Sequence, residues 1–429
     1  MKRIAILALA LLALVPTAAL AAAGKLATLY AFPGRGLNWS LTRDKHGNLY
    51  GIATAGAGYI YELKRSSHGF TEQTLYSFCA LSSCLDGVAP TGALVIDTAG
   101  NLYGTTNYGG ATGEGTAFEL MHRKDGWSLK TLYDFCHDGT PHCADGSQPQ
   151  LGLTFAGAQA GGLYDGTSPL LGIATEGGTP GDGLIFQIKP STMRDSHWVE
   201  DSVYAFCDSS DAGCGRPYYG PQGIMVDGHG NIYGGTAGGG QNAGGVIFEI
   251  IPDASRTTWT ATVLYDFCSL SNCADGGFAG GAPLLDDAGN LYGTTLQGGI
   301  NATCCGVLYK LSSSGPGWTE TLLHTFCAEG GHCPQGAIPR GRLITDSVGT
   351  LYGVTSDGGK SKDHRFRRPG VIYSFGSEYK VLSNFCRTED CSDGGQPDDG
   401  LVLDGAGHLF GTTNLGGATG GGTVYELKR

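Results

Sequence analysis

Positive charge is in short supply in this chain. Its 429 residues carry 27 lysines and arginines against 39 acids, a formal net charge of −12. General nucleic-acid binding needs a basic surface to displace counterions, so that class is excluded. Beyond the N-terminus no apolar run is long enough to span a bilayer. No cysteine precedes Cys79, which excludes a lipid-accepting cysteine near the start. The CxxC spacing of zinc knuckles is missing, as are the G-x-S-x-G elbow and the H-E-x-x-H helix. No short catalytic motif therefore presents itself, and neither a metal nor a cofactor is expected.

What the chain does have begins at residue 1. Lys2 and Arg3 precede an unbroken apolar run from Ile4 to Val15, and small-x-small steps follow at Ala19-Leu20-Ala21 and Ala21-Ala22-Ala23. That layout is expected of a signal peptide over residues 1–23, ahead of a single domain over 24–429. The competing reading is an uncleaved membrane anchor. Cleavage lowers the basic count from 27 to 25 against 39 acids, a mature charge of −14. A secreted or periplasmic protein, monomeric and without a later membrane span, is the expectation.

Glycine is abundant, with 74 residues, and it recurs in register. The phrase GNLYGTT and its variants place a glycine at Gly51, Gly104, Gly172, Gly234, Gly293, Gly353 and Gly411, at spacings of 53, 68, 62, 59, 60 and 58. Each of the seven units runs in one order. An apolar stretch ends in Asp, a D-x-x-G-N turn follows, and then come the NLYGTT strand and a glycine-rich loop. A third strand such as GTAFEL (115–120) and a fourth such as WSLKTLYDF (127–135) complete the unit. Four short antiparallel strands per unit, here A to D from the inside outwards, predict a β-propeller blade. The final unit stops after strand C, and KLATLYAF (25–32) reads like the missing strand D. The fold class expected is all-β, a seven-bladed propeller of four-stranded antiparallel blades, its ring closed by the N-terminal strand pairing in the last blade. A linear solenoid, the alternative, caps its ends rather than splitting a repeat.

The G-N-L-Y-G-T-T…G-G…G-G-G-T-V-Y-E-L phrase resembles the Gloeo/Verruco (GloVer) tandem repeat of exported bacterial proteins, over essentially the whole mature chain. The resemblance implies a bacterial source and placement outside the cytoplasm. It implies no reaction, and fold alone supplies none.

Twelve of the 14 cysteines form six local pairs, Cys79/Cys84, Cys136/Cys143, Cys207/Cys214, Cys268/Cys273, Cys327/Cys333 and Cys386/Cys391, each between a strand D and the next strand A. In an exported chain these read as loop disulfides. Cys304 and Cys305 fall in the fifth B-to-C loop and are left for each other. Their vicinal bond would form a stiff staple, with a ligand-contacting plate or free thiols as alternatives. Repeated Asp-Gly steps at Asp86, Asp145, Asp275 and Asp393 read as turns rather than calcium-loop fragments.

Strand parity sends the D-to-A and B-to-C loops to one face, the default place for binding. Functional candidates should break the repeat. Trp39, Tyr108, Tyr218 and Tyr219 are extra aromatics in those loops, suited to stacking on sugar or peptide. The sixth unit adds a basic sector, His364, Arg365, Arg367 and Arg368 with Arg340 and Arg342 nearby, suited to a carboxylate, sulfate or phosphate. The bland readings are self-packing aromatics and a solvated loop paired with neighbouring acids. The longer A-to-B connection of the third unit, 156–170, reads as decoration on the opposite face. Together these features predict a non-catalytic binding or scaffold module for an extracellular glycan or protein, with a polysaccharide hydrolase or lyase as the alternative.

Overall fold

The structure is a computed structural model that describes residues 24–34, 40–137, 139, 143–178, 183–191, 198–206, 221–300, 302–315, 317–329, 331–362 and 368–429. It is all-β. Helix is confined to single turns such as Ser82–Cys84 and Ala158–Ala160. Among the described residues no helix is long and apolar enough to cross a membrane.

The second unit illustrates the local build. Strands Val88–Ile96, Leu102–Tyr108, Thr116–Arg123 and Gly126–Asp134 pair antiparallel in sequence order. The second of these is buried from Leu102 to Asn107, while the fourth is mostly half-buried, exposed at Gly126 and Ser128 and buried only at Leu132. An inner strand packed on both faces and an outer strand half in water produce those two patterns. Equivalent four-stranded groups recur along the chain. The second and third are joined by a single parallel bridge, Gly152 with Ala93, into one eight-stranded sheet. Lys25–Ala31 pairs antiparallel with Thr423–Lys428 and completes the sheet formed by the last unit.

The recurrent glycine of strand B has a steric cause. A Cβ at Gly51, Gly172, Gly234, Gly293, Gly353 or Gly411 would collide with the ring of Tyr61, Phe186, Phe248, Tyr309, Tyr373 or Tyr425 on strand C. At Gly104 it would lie 2.7 Å from Phe118 Cζ. The ring lies flat over bare backbone, and its outer edge receives a phenylalanine from the preceding sheet. Ring centroids are 5.2 Å apart for Phe78 and Phe118, 4.7 Å for Phe135 and Phe186, 5.9 Å for Phe206 and Phe248, and 5.2 Å for Phe267 and Tyr309. Phe326 meets Tyr373 at 5.4 Å and Phe385 meets Tyr425 at 5.0 Å, while Phe32 in the final sheet meets Tyr61 in the first at 5.2 Å. Each such pair adds on the order of 1 kcal/mol beyond its buried area. Glycine in strand B, an aromatic in strand C and phenylalanine after strand D therefore form one packing device.

Candidate functional site

The loop face is built stiffly. The disulfides Cys79–Cys84, Cys136–Cys143, Cys268–Cys273, Cys327–Cys333 and Cys386–Cys391 each close a short D-to-A loop. All ten of these cysteines have positive φ, between 44° and 61°. The Asp of the following Asp-Gly step holds the loop from inside. Asp86 accepts hydrogen bonds from Ala80 N at 2.9 Å, Leu81 N at 3.1 Å and Tyr76 Oη at 2.8 Å. Asp275 accepts equivalent bonds from Ser269 N, Leu270 N and Tyr265 Oη. These carboxylates are spent on loop donors, the turn role expected of them. Every B-to-C loop described at this position also locks onto the next sheet. Ala89, Gln148, Phe278, Ile338 and Gln396 each donate a backbone N–H to the preceding loop at 2.7–2.9 Å, again from positive φ.

On this rim large apolar side chains stay in water: Leu81 and Leu270 at 55% exposure, Leu85 and Tyr108 at 45%, and Ile300 at 44%. Tyr108 thus stands at the rim as an exposed aromatic. Arg340 pairs with Asp398 at 3.3 Å, and Arg368 pairs with Asp357 at 2.7 Å while its Nη2 lies 3.3 Å from Cys333 Sγ. Arg342 lines a cavity between the first strands of the units. Trp39, Tyr218, Tyr219, His364, Arg365, Arg367, Cys207 and Cys214 lie outside the described residues, as does the segment 1–23. Cys304 and Cys305 are bonded to each other. The sulfurs of Cys305, Cys327 and Cys333 lie within 4.8 Å of one another, so the vicinal pair packs against the neighbouring loop disulfide.

The cavity lined by Arg342 has a volume of about 500 Å³. The innermost strands surround it, their central residues approaching backbone to backbone. A Cβ on Gly341 would meet the Asp399–Gly400 peptide, and one on Gly281 would lie 2.9 Å from Gly341. Residues of the A-to-B turns, among them Asp44, Lys45, Gly161 and Leu163, line its other end. The third-unit insertion is therefore not decoration. Tyr164 is fully buried and bonds the second unit, with its N–H on Ile96 O and its carbonyl on Thr98 N. Gln159 reaches the fifth unit, donating to Pro283 O and accepting from Leu285 N, both at 3.4 Å. The insertion spans three units beside the cavity.

Residues 19–217 and 169–425 match the Gloeobacter/Verrucomicrobia repeat. The chain belongs to that repeat family. No curated protein sequence matches it. The structure of this Gloeobacter/Verrucomicrobia repeat protein is similar to the extracellular domain of a putative one-component system from B. thetaiotaomicron, with TM-score 0.55 and 12% identity over 94% of this chain. The repeat protein spans only 40% of that chain's length. Virginiamycin B lyase from Staphylococcus aureus, in a catalytically inactive form with quinupristin, gives TM-score 0.52 and 13% identity over 95% of this chain and 99% of the lyase. A puromycin-hydrolyzing peptidase of Mycobacterium tuberculosis gives 0.51 and 10% identity over 88% of this chain and 49% of the peptidase. Likeness at this identity concerns the fold, which is propeller-like.

Two groups in the repeat protein's interior escape any reading of motifs. Tyr265 Oη lies 3.1 Å from Asp275 Oδ2 and 3.2 Å from Glu320 Oε2, so one phenol faces two carboxylates. Burial, reinforced by repulsion from Asp275, pushes the Glu320 carboxyl up to about 8. His324 takes the place that Tyr76, Tyr133, Tyr204 and Tyr265 hold in the four preceding fourth strands, and it stacks on Tyr379 at 3.7 Å. Desolvation pulls its imidazole down to about 4. Only the strand pairing that brings separate units together reveals either group.

Proposed function

We propose that this chain is an exported seven-bladed propeller that works as a non-catalytic binding or scaffold module. On this reading residues 1–23 are a signal peptide, and Lys25–Ala31 closes the ring through Thr423–Lys428. The chain of Phe-to-aromatic contacts from one sheet to the next, returning from Phe32 to Tyr61, supports the closed ring. The six loop disulfides expected from the repeat support export, since such bonds persist in oxidising compartments.

The observation that carries the binding role is the rim of exposed Leu81, Leu85, Tyr108, Leu270 and Ile300 on loops fixed by disulfides and inter-sheet hydrogen bonds. Large apolar side chains held rigidly in water suit an extracellular glycan or protein surface, because little conformational freedom is lost on contact. The acids beside the basic sector are taken up in ion pairs, Asp398 with Arg340 and Asp357 with Arg368. The test is a glycan array probed with the purified protein, run beside a reducing-sugar assay on the glycans it captures. Capture without sugar release, weakened about tenfold by Tyr108→Ala, is the expected result. Release of reducing ends would move the reading to a polysaccharide-active enzyme. Absence of both signals would leave the scaffold half of the proposal.

A further inference from the structure

The innermost strands can be aligned on the aspartate that opens each A-to-B turn. Four residues before Asp44, Asp97, Asp227, Asp286 and Asp404 stand Ser40, Ala93, Gly223, Ala282 and Gly400. Each is small, as the close approach of these strands requires. Four residues before Asp346 stands Arg342. One unit thus places the longest cationic side chain where the others place almost nothing. Ser40, Ala93, Gly223, Ala282 and Arg342 all line the same cavity. Neighbouring backbone makes room for the arginine stem, since a Cβ on Gly400 would lie 3.3 Å from Arg342 Cγ.

The guanidinium is poorly balanced. Among the described residues no hydrogen bond or ion pair engages it. Arg342 is exposed to solvent within the cavity lining. Desolvation lowers its pKa, and the charge of Asp399 acts in the opposite sense. Asp399 supplies the counter-charge, but it makes no direct ion pair with Arg342, and each of its oxygens already accepts a backbone N–H. Oδ2 accepts from Ser40 N at 2.9 Å and Oδ1 from Gly400 N at 2.7 Å. Asp44, the other acid of the lining, is bonded by the amides of His46 and Asn48, by the Asn48 side chain and by the Tyr50 hydroxyl. Arg43 and Lys45 add two cations, and Arg43 Nε is buried without a hydrogen-bond partner among the described residues. Leu94, Leu153, Phe155 and Leu401 supply apolar wall. In a protein of net charge −12 the lining carries three cations, Arg43, Lys45 and Arg342, against two acids, Asp44 and Asp399, a local excess of positive charge.

We infer that this cavity is a binding site for a small organic carboxylate, with Arg342 as its anchor. The guanidinium fork matches a carboxylate in two parallel hydrogen bonds, and the apolar wall takes the rest of the molecule. A cavity of about 500 Å³ falls within the range of small-molecule sites. This site is distinct from the loop rim of the proposed function.

The test uses the purified protein and two probe pairs, benzoate with benzamide and glucuronate with glucose, titrated by calorimetry. At least one carboxylate should bind tenfold or more tightly than its neutral counterpart. Arg342→Gln should abolish that preference, and Arg342→Lys should keep part of it. A readout that needs no variant is arginine labelling. Phenylglyoxal should modify Arg342 in wild-type protein, and the binding carboxylate should protect it while leaving the modification of Arg340 and Arg368 unchanged. Equal binding of both members of each pair overturns the inference. So does a carboxylate preference that survives Arg342→Gln, or labelling of Arg342 that the carboxylate does not slow. Tyr108→Ala leaves the cavity intact, so failure of glycan capture at the rim and failure of carboxylate binding in the cavity are read separately.

Discussion

The left-handed cysteines of the D-to-A loops make a prediction whose sign runs against ordinary expectation. Cys79 and Cys84 have φ of 58° and 51°, and their backbone groups are committed to the loop whatever the side chain is. Cys79 N donates to Gly87 O at 3.1 Å, while Cys84 O accepts from Gly87 N at 2.9 Å and from Gly110 N at 3.0 Å. An L-residue in this region costs about 1–2 kcal/mol. Glycine avoids that cost but loses about 0.4–1 kcal/mol through the extra freedom of its unfolded chain. The net advantage of glycine is about 0.5–1 kcal/mol per site, or about 1–2 kcal/mol for the pair. Loss of the small ring itself costs about 2 kcal/mol on the chain-entropy account. The double variant with serine at both positions should therefore lose about 2 kcal/mol, and the one with glycine at both about 0–1 kcal/mol. Urea unfolding of the two variants beside wild type, compared by midpoint at unchanged slope, measures the difference. If the serine pair proves as stable as the glycine pair or more so, the backbone strain assigned to these loops is wrong.

Three further outcomes follow from geometry. Gly293→Ala drives a methyl into the Tyr309 ring and should cost about 1–3 kcal/mol in the same urea assay, and Tyr309→Leu in the same chain should recover part of that loss. Glu320 has a folded pKa of about 8, well above an unfolded carboxyl, so it withholds stability as pH rises from about 4.5 to 8. Glu320→Gln should accordingly gain on wild type across that window in thermal melts, and a constant gap would refute the assignment. Non-reducing peptide mapping should recover Cys304 joined to Cys305. After mild treatment with a dithiol that reduces this bond, the Cys305 thiolate lies close enough to attack the Cys327–Cys333 disulfide, and the map should then show Cys305 joined to one of them with the other released as a thiol.

The repeat was legible in the sequence because one packing device is written seven times. Its reason was not. The glycine of strand B and the aromatic of strand C stand opposite each other across a ladder, Gly104 against Phe118, and only pairing shows that one makes room for the other. The candidate rim was legible through Tyr108, which breaks the repeat inside a loop. Arg342 was visible as a charge, but its place in the cavity lining was not. Sequence groups it with the basic loop of its own unit, and only the fold shows that it lines a cavity with Ser40, Ala93 and Asp399. The insertion 156–170 read as decoration because its anchor, Pro283, lies 124 residues beyond Gln159. Glu320 and Asp275 likewise belong to successive units, and nothing local announces that they share a tyrosine.

The seam between Lys25–Ala31 and Thr423–Lys428 has a mechanical consequence. The pairing is antiparallel, with Lys25 opposite Lys428 and Ala31 opposite Thr423. Lys25 and Lys428 stand at the same end of the ladder. Tension applied through Lys25 and Lys428 therefore loads one rung of the ladder at a time, as in opening a zipper, instead of shearing all rungs together. A load entering through the loop rim meets crosslinked chain instead. Pulled by its two ends the molecule should open at low force, while pulled across its rim it should hold.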